Sequence, residues 1–206
     1  MDDFRARVSR LQRAAWALRA ASPRPCALPF ALAMMTDERR HPDLVSIIER
    51  LPPGPPVLIV FRHYGLAADA RAALACRALA AARAGGHPFV VADGGLAGDG
   101  AHNAGGHGTG RLRAGHTGLR TASVHTLGEG AGKRRALRPH LALVSPVLPT
   151  ASHPGAPALG PVRADAVARR LAVPAFALGG MDEGSARRLR GTAFTGIAAL
   201  GAFSLR

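Results

Sequence analysis

The polar residues with the most evident chemistry stand in LALVSPVLPTASHPGAPALGP, Leu141 to Pro161, where an apolar run opens into a Gly/Pro-rich segment carrying Thr150, Ser152 and His153. Two hydroxyls and an imidazole at the end of such a run can hold a polar or anionic ligand. Farther on, PAFALGGM (Pro174 to Met181) closes in Gly179 and Gly180, and TGIAALGAF (Thr195 to Phe203) repeats the pattern around Gly201. Three strand-to-glycine-loop units in the last third of the chain imply a βα-repeat enzyme that binds a phosphorylated small molecule.

The elements that must carry these loops alternate along the chain. Residues 26–35 are apolar and β-like, 41–51 helical, 57–62 (VLIVFR) a strand, and 66–84 a strong Ala-rich helix that stops at Gly85 and Gly86. Strands follow at 88–93, 119–124, 141–147, 174–178 and 194–199, with helices at 163–171 and 182–190 and a weaker, glycine-interrupted one at 126–138. Short, continuously apolar strands alternating with helices make a parallel sheet covered on both faces. A closed eight-stranded barrel and an open doubly wound sheet both satisfy that pattern.

Composition bounds the partners. The chain has 206 residues, 48% of them hydrophobic, enough for one domain with a substantial core. Its net charge of +14 comes from 27 basic residues, all arginine but Lys133. One Trp, one Tyr and seven Phe, without an RNA-type aromatic motif, argue against nucleic acid as the ligand. The same positive field favours small phosphates and pyrophosphates. Cys26 and Cys76 form no metal motif or disulfide framework, which fits a reducing cytoplasm. In residues 1–25, Phe4, Val8, Leu11, Ala15 and Leu18 fall at helical spacing between arginines. The expectation is a basic amphipathic helix packed on the main domain of 26–206, rather than a membrane arm.

The pattern breaks between Gly94 and Gly118, GGLAGDGAHNAGGHGTGRLRAGHTG. A third helix and fourth strand belong here, yet neither is stable by local propensity with so much glycine. His102, His107 and His116 are spaced by five and nine residues, which matches no standard zinc pattern, and a solvated loop is expected.

Taken in order, FRHYG, VVADG, TASVHT, SPVLPTASHPG, ALGGM and TGIAALGAF resemble the thiamine-phosphate synthase family and its thiazole tautomerase relatives, over roughly Ala31 to Phe203. The resemblance implies an α/β fold, the (β/α)8 TIM barrel, here with an extra N-terminal helix. Function then belongs at the C-terminal ends of the strands, where these segments fall. The synthase joins a hydroxymethylpyrimidine pyrophosphate to a thiazole phosphate, releasing pyrophosphate, with Mg²⁺ on the pyrophosphate.

Residue by residue, Arg62 falls on the arginine of the family's Gln-x-Arg-x-Lys pattern, with Val60 and Tyr64 at the other two positions. Asp93 falls on the aspartate of its Asn-Asp-Arg motif and is the Mg²⁺ candidate, flanked by Ala92 and Gly94. The family's second metal aspartate has no counterpart, since Asp99 lies too early. Thr150 and Ser152 match the hydroxyl pair, His153 replaces a lysine, Gly179 and Gly180 match the phosphate loop, and Gly201 replaces a serine. His125, in SVHT, matches the histidine of the tautomerase branch, which moves a proton without metal. The resemblance thus implies a synthase with a reduced pyrophosphate and metal site. A His125-dependent tautomerase and a noncatalytic binder of thiazole or thiamine phosphate are the alternatives.

Overall fold

Seven apolar runs and the glycine-flanked segment Gly100–Asn103 become eight parallel strands. In this computed structural model, residues 3–92, 95–103, 118–126, 128–129, 138–150, 155 and 157–205 are described. The strands are β1 (Leu32–Met35), β2 (Val57–Phe61), β3 (Phe89–Ala92), β4 (Gly100–Asn103), β5 (Leu119–Val124), β6 (Leu141–Val144), β7 (Ala175–Leu178) and β8 (Phe194–Ala199). They close in sequence order into a barrel, β8 pairing with β1. The chain therefore adopts the (β/α)8 barrel rather than the open sheet, with an N-terminal helix added. Helices are α1 (Asp3–Ala20), α2 (Leu44–Glu49), α3 (Ala68–Ala84), α4 (Gly160–Arg170) and α5 (Glu183–Arg188), with a 3₁₀ turn η1 at Gly201–Phe203.

Nearly every strand residue is buried, because each strand has the lumen on one face and the outer layer on the other. Ala33, Met35, Leu58, Val60, Val90, Leu141, Leu143, Phe176 and Ala198 form the inner core, separate from the larger outer one. Registered neighbours in a parallel sheet share a face, so the pairings Ala92 to His102, His102 to Thr121 and Ser123 to Leu143 put His102, Thr121 and Ser123 on the lumen face.

Strand β4 corrects the expectation of a solvated loop around His102. Gly100 and Gly118 let the backbones close: a Cβ on Gly100 would overlap the Leu119 carbonyl, and one on Gly118 the carbonyl of Asp99. Pairing with β3 and β5 supplies what local propensity lacks. His102 is fully buried. His107 and His116 lie outside the described residues, as does most of the weak helix at 126–138. The first strand is shorter than its apolar run, beginning at Leu32.

Phe4, Val8, Leu11, Ala15 and Leu18 of α1 are buried in the outer core. The helix packs on β8, β1 and α5. Near its end Arg19 donates from Nε to Thr195 O at 2.8 Å, from Nη1 to Leu28 O at 2.6 Å and from Nη2 to Phe30 O, tying the helix to the entrances of β1 and β8. Among the described residues, no helix is long and apolar enough to cross a membrane.

Candidate active site at the barrel mouth

At the C-terminal end of β1, Thr36 joins the first two strands. Its N–H donates to Val60 O, its hydroxyl accepts the Arg62 N–H at 3.0 Å, and its carbonyl accepts Arg62 Nε at 3.0 Å. The same hydroxyl lies 2.9 Å from His63 Nδ1. His63 has φ 37°, a left-handed conformation that costs a non-glycine residue about 1–2 kcal/mol. The turn buries His63 against Phe61, rings stacked 5.0 Å apart, while Tyr64 stays half exposed. His63 Nε2 is buried without a hydrogen-bond partner. Burial holds this imidazole below its usual pKa, with Arg71 acting in the same direction, although the His41 backbone and the carboxylates of Glu38 and Asp37 oppose the shift.

His41 is the satisfied counterpart. Its Nδ1 accepts the Asp37 N–H at 3.1 Å and its Nε2 donates to Leu200 O at 3.2 Å, linking the β1 loop to β8. Burial pushes its pKa down to about 4. For Asp37, burial raises the pKa, but the N–H groups of Arg40 and Arg39 and the charges of Arg40 and Arg62 outweigh it and keep the carboxyl low.

Arg71, in the first turn of α3, was not legible as a site residue in the sequence. Its Nε donates to Arg62 O at 3.0 Å and its Nη2 to Ala92 O at 3.1 Å, while its guanidinium lies 5.4 Å from the Phe61 ring centre and 5.7 Å from that of Tyr64. Asp93 follows Ala92 directly but lies outside the described residues.

Inside the lumen His102 bridges two hydroxyls of β5, with Nδ1 2.8 Å from Thr121 Oγ1 and Nε2 3.2 Å from Ser123 Oγ. Only the register of β4 on β5 reveals this group, so sequence spacing gave no signal for it.

Past β5, His125 is half buried. Its backbone N–H donates to Glu129 Oε2 at 2.8 Å, and its Nδ1 lies 2.7 Å from Ser145 O. A carbonyl can only accept, so Nδ1 carries the proton and the neutral ring keeps its lone pair on Nε2. The Ser145 hydroxyl is 3.3 Å from the same Nδ1. In this orientation Nε2 can accept a proton while Nδ1 stays anchored.

On the β6 to β8 side, Thr150 is half buried, while Ser152 and His153 lie outside the described residues. Gly179 and Gly180 have φ of 97° and 65°. A Cβ on Gly179 would lie 2.9 Å from Pro146 Cα, and one on Gly180 2.6 Å from Pro149 O. Close packing of the two loops therefore requires both glycines, whether or not a ligand binds. Val147 N–H donates to Leu178 O and Leu148 N–H to Gly179 O, which fastens the loops together. Among the described residues, the N–H groups of Gly179, Gly180 and Gly201 have no hydrogen-bond partner and remain available to an oxyanion. The start of α5 does not: Asp182 caps it by accepting the Ser185 N–H at 2.7 Å.

No group of three or more His, Cys, Asp and Glu among the described residues is placed to hold a metal ion. Asp99 is committed elsewhere, to Arg83 at 2.9 Å and the Phe89 N–H at 3.0 Å, at the entrance of β4. Asp93, the Mg²⁺ candidate, lies outside the described residues, which on their own supply no carboxylate cluster for a hard cation.

Comparison with solved structures matches this geometry to barrels of the same kind. The chain aligns with thiamine phosphate pyrophosphorylase from Pyrococcus furiosus at TM-score 0.67 and 20% identity, covering 82% of this chain and 84% of that one. It aligns with the thiamine phosphate pyrophosphorylase of Bacteroides thetaiotaomicron at TM-score 0.53 and 15% identity, over 84% of each chain. A glycerol uptake operon antiterminator regulatory protein from Listeria monocytogenes also aligns, at TM-score 0.55 and 14% identity, over 85% of this chain and 96% of that one. At these identities the likeness is one of fold. Among curated proteins, none matches this sequence. The family model described as thiamine monophosphate synthase matches residues 32–203, from the first residue of β1 to the last of η1, and the chain belongs to that family.

Proposed function

We propose that this protein binds a phosphorylated thiazole at the barrel mouth and moves a proton on it, as a thiazole tautomerase does, with His125 as acid and base. The observation that carries this reading is the 2.7 Å hydrogen bond from His125 Nδ1–H to Ser145 O, which leaves Nε2 as the basic nitrogen. In the proposed step, Nε2 takes a proton from a ring carbon and the imidazolium keeps its hydrogen bond to Ser145 O. The proton then returns at the ring nitrogen. One proton moves, the ring double bonds shift, and no metal is needed. The N–H groups of Gly179, Gly180 and Gly201, with the hydroxyl of Thr150 and with Ser152 and His153, would hold the phosphate. The substrate of a thiazole tautomerase is a thiazole carboxylate phosphate, and Arg62 would face its carboxylate.

The test is hydrogen–deuterium exchange at the thiazole ring, followed by NMR in metal-free buffer, for the native protein and His125→Asn. Exchange should be lost in the variant while affinity for the thiazole phosphate is retained. Full exchange by the variant refutes the proposal.

A second reading, the synthase reaction, is favoured by the family match over residues 32–203 and by Arg62. Among the described residues Arg62 has no hydrogen-bond partner for its terminal nitrogens. Under this reading a pyrimidine pyrophosphate is the co-substrate and pyrophosphate the leaving group; Asp93 would hold Mg²⁺, which would supply charge neutralisation on the pyrophosphate. Formation of thiamine phosphate and pyrophosphate that depends on Mg²⁺ and is lost in Asp93→Asn would select it. Tight binding of thiazole phosphate with neither activity would select a noncatalytic binder. A cytoplasmic location accords with all three, because both cysteines are free.

A further inference from the structure

We propose that Thr36 is a positioning residue that aims Arg62 at the substrate's carboxylate, and so sets a preference for a carboxylated thiazole phosphate over one without that group. The inference rests on the proposed function, in which Arg62 meets the carboxylate, and adds the residue that gives Arg62 its direction. Thr36 is fully buried at the end of β1, where its own N–H donates to Val60 O. It then holds Arg62 twice, its hydroxyl accepting the Arg62 N–H and its carbonyl accepting Nε, each at 3.0 Å. One residue of β1 thus fixes both the main chain and the side chain of the arginine.

Two features separate this arrangement from ordinary loop packing. Every anchor on Arg62 spares the edge that a carboxylate would use. Its N–H and Nε go to Thr36 and its carbonyl accepts Arg71 Nε at 3.0 Å, while among the described residues Nη1 and Nη2 have no partner. With Nε occupied, the Nη1–Nη2 edge is the one that can meet both oxygens of a carboxylate. Asp37, next in the chain after Thr36, accepts the N–H groups of Arg39 and Arg40, and among the described residues no ion pair joins it to Arg62. The hydroxyl that holds Arg62 is itself immobilised, which is the second feature. Threonine is stiff at χ1, and Oγ1 also lies 2.9 Å from Nδ1 of His63, whose buried ring stacks on Phe61. A guanidinium that samples many rotamers must give up that freedom on meeting a carboxylate; one held in place beforehand has already given it up.

Binding of thiazole carboxylate phosphate and of thiazole phosphate without the carboxylate to the full chain is measured by calorimetry, and the ratio of the two affinities is the readout. The native protein should prefer the carboxylated ligand. Thr36→Val keeps the volume and removes the hydroxyl, and should lower the ratio about tenfold by weakening the carboxylated ligand alone; Thr36→Ser should hold it within about twofold of native. Thr36→Ala serves as a second hydroxyl deletion, with the melting temperature of each variant recorded. Because Thr36 acts through Arg62, adding Thr36→Val to Arg62→Gln should lower the ratio no further. A native ratio in Thr36→Val or Thr36→Ala, whatever the melting temperature, would reduce Thr36 to a strut and overturn the proposal. A further loss in the double variant as large as that in Thr36→Val alone also overturns it, as does a native protein with no preference for the carboxylate. A preference that depends on Thr36 in a protein that catalyses no exchange at the thiazole ring would sustain the role of Thr36 and refute the proton transfer alone.

Discussion

Arg19 and the arginine pair Arg62 and Arg71 are the same side chain used in opposite ways at the two ends of one barrel. At the entrances of β1 and β8, all three guanidinium nitrogens of Arg19 donate to carbonyls, and its face rests 4.6 Å from the Trp16 ring centre. Burial lowers its pKa, yet each of its three nitrogens holds a backbone carbonyl. At the mouth, Arg62 and Arg71 are anchored by one and two side-chain bonds and keep donors in reserve. The difference separates a residue that closes a fold from residues that can receive something. Where every nitrogen of the fork is tied to a protein carbonyl, a ligand has little to gain; where the anchor leaves whole nitrogens unbonded, the rest is oriented and unspent.

The largest effect should come from breaking the entrance side. Gly100→Val drives a side chain into the Leu119 backbone and should cost about 4 kcal/mol or more, leaving little folded protein on urea titration. Arg19→Met keeps the stem but strips the donors from Thr195, Leu28 and Phe30 carbonyls, and should cost about 3 kcal/mol in the same measurement. His41 sharpens the comparison, being a mouth residue that is fully partnered. Its folded pKa of about 4 lies below the free imidazole value of 6.5, so the unfolded chain takes up the proton first as pH falls. Its contribution is therefore whole above pH 6.5 and fades toward pH 4, by about 3 kcal/mol in all. Melting curves from pH 7 to 4 should show that loss, and His41→Gln should flatten it; an unchanged slope would remove His41 as its source. The smallest effect on stability belongs to Arg62→Gln, under about 1 kcal/mol by urea titration, since only its Nε bond to Thr36 O is altered. A loss comparable to that of Arg19→Met would erase the contrast between the two ends.

Much of the scaffold was legible because its signals are local. VLIVF, FVVA and LALV read as doubly buried strands from their apolar continuity, and the Ala-rich run before Gly85 as a helix. Strand β4 was not legible, because GAHN has no β propensity of its own and glycine is needed there for the closeness of β5. The site divides in the same manner. Gly179, Gly180 and His125 stand out by type and position at strand ends. Arg71 reads as one more arginine on the solvated side of a helix until α3 is laid across β2 and β3. His102 reads as a loop histidine until Thr121 and Ser123 are set beside it.

By itself the amino-acid sequence determined the kinds and order of the elements other than β4, and the chemical groups carried at the strand ends. Those follow from side-chain volume, β-branching and backbone freedom over a few neighbouring residues. The tertiary structure alone decided that the sheet closes with β8 on β1, that His102 faces the lumen, which nitrogen of His125 holds the proton, and which arginines keep donors to spare. Each of these depends on hydrogen bonds or register between residues far apart in the chain, and such pairings exist only once the barrel has brought the strand ends together.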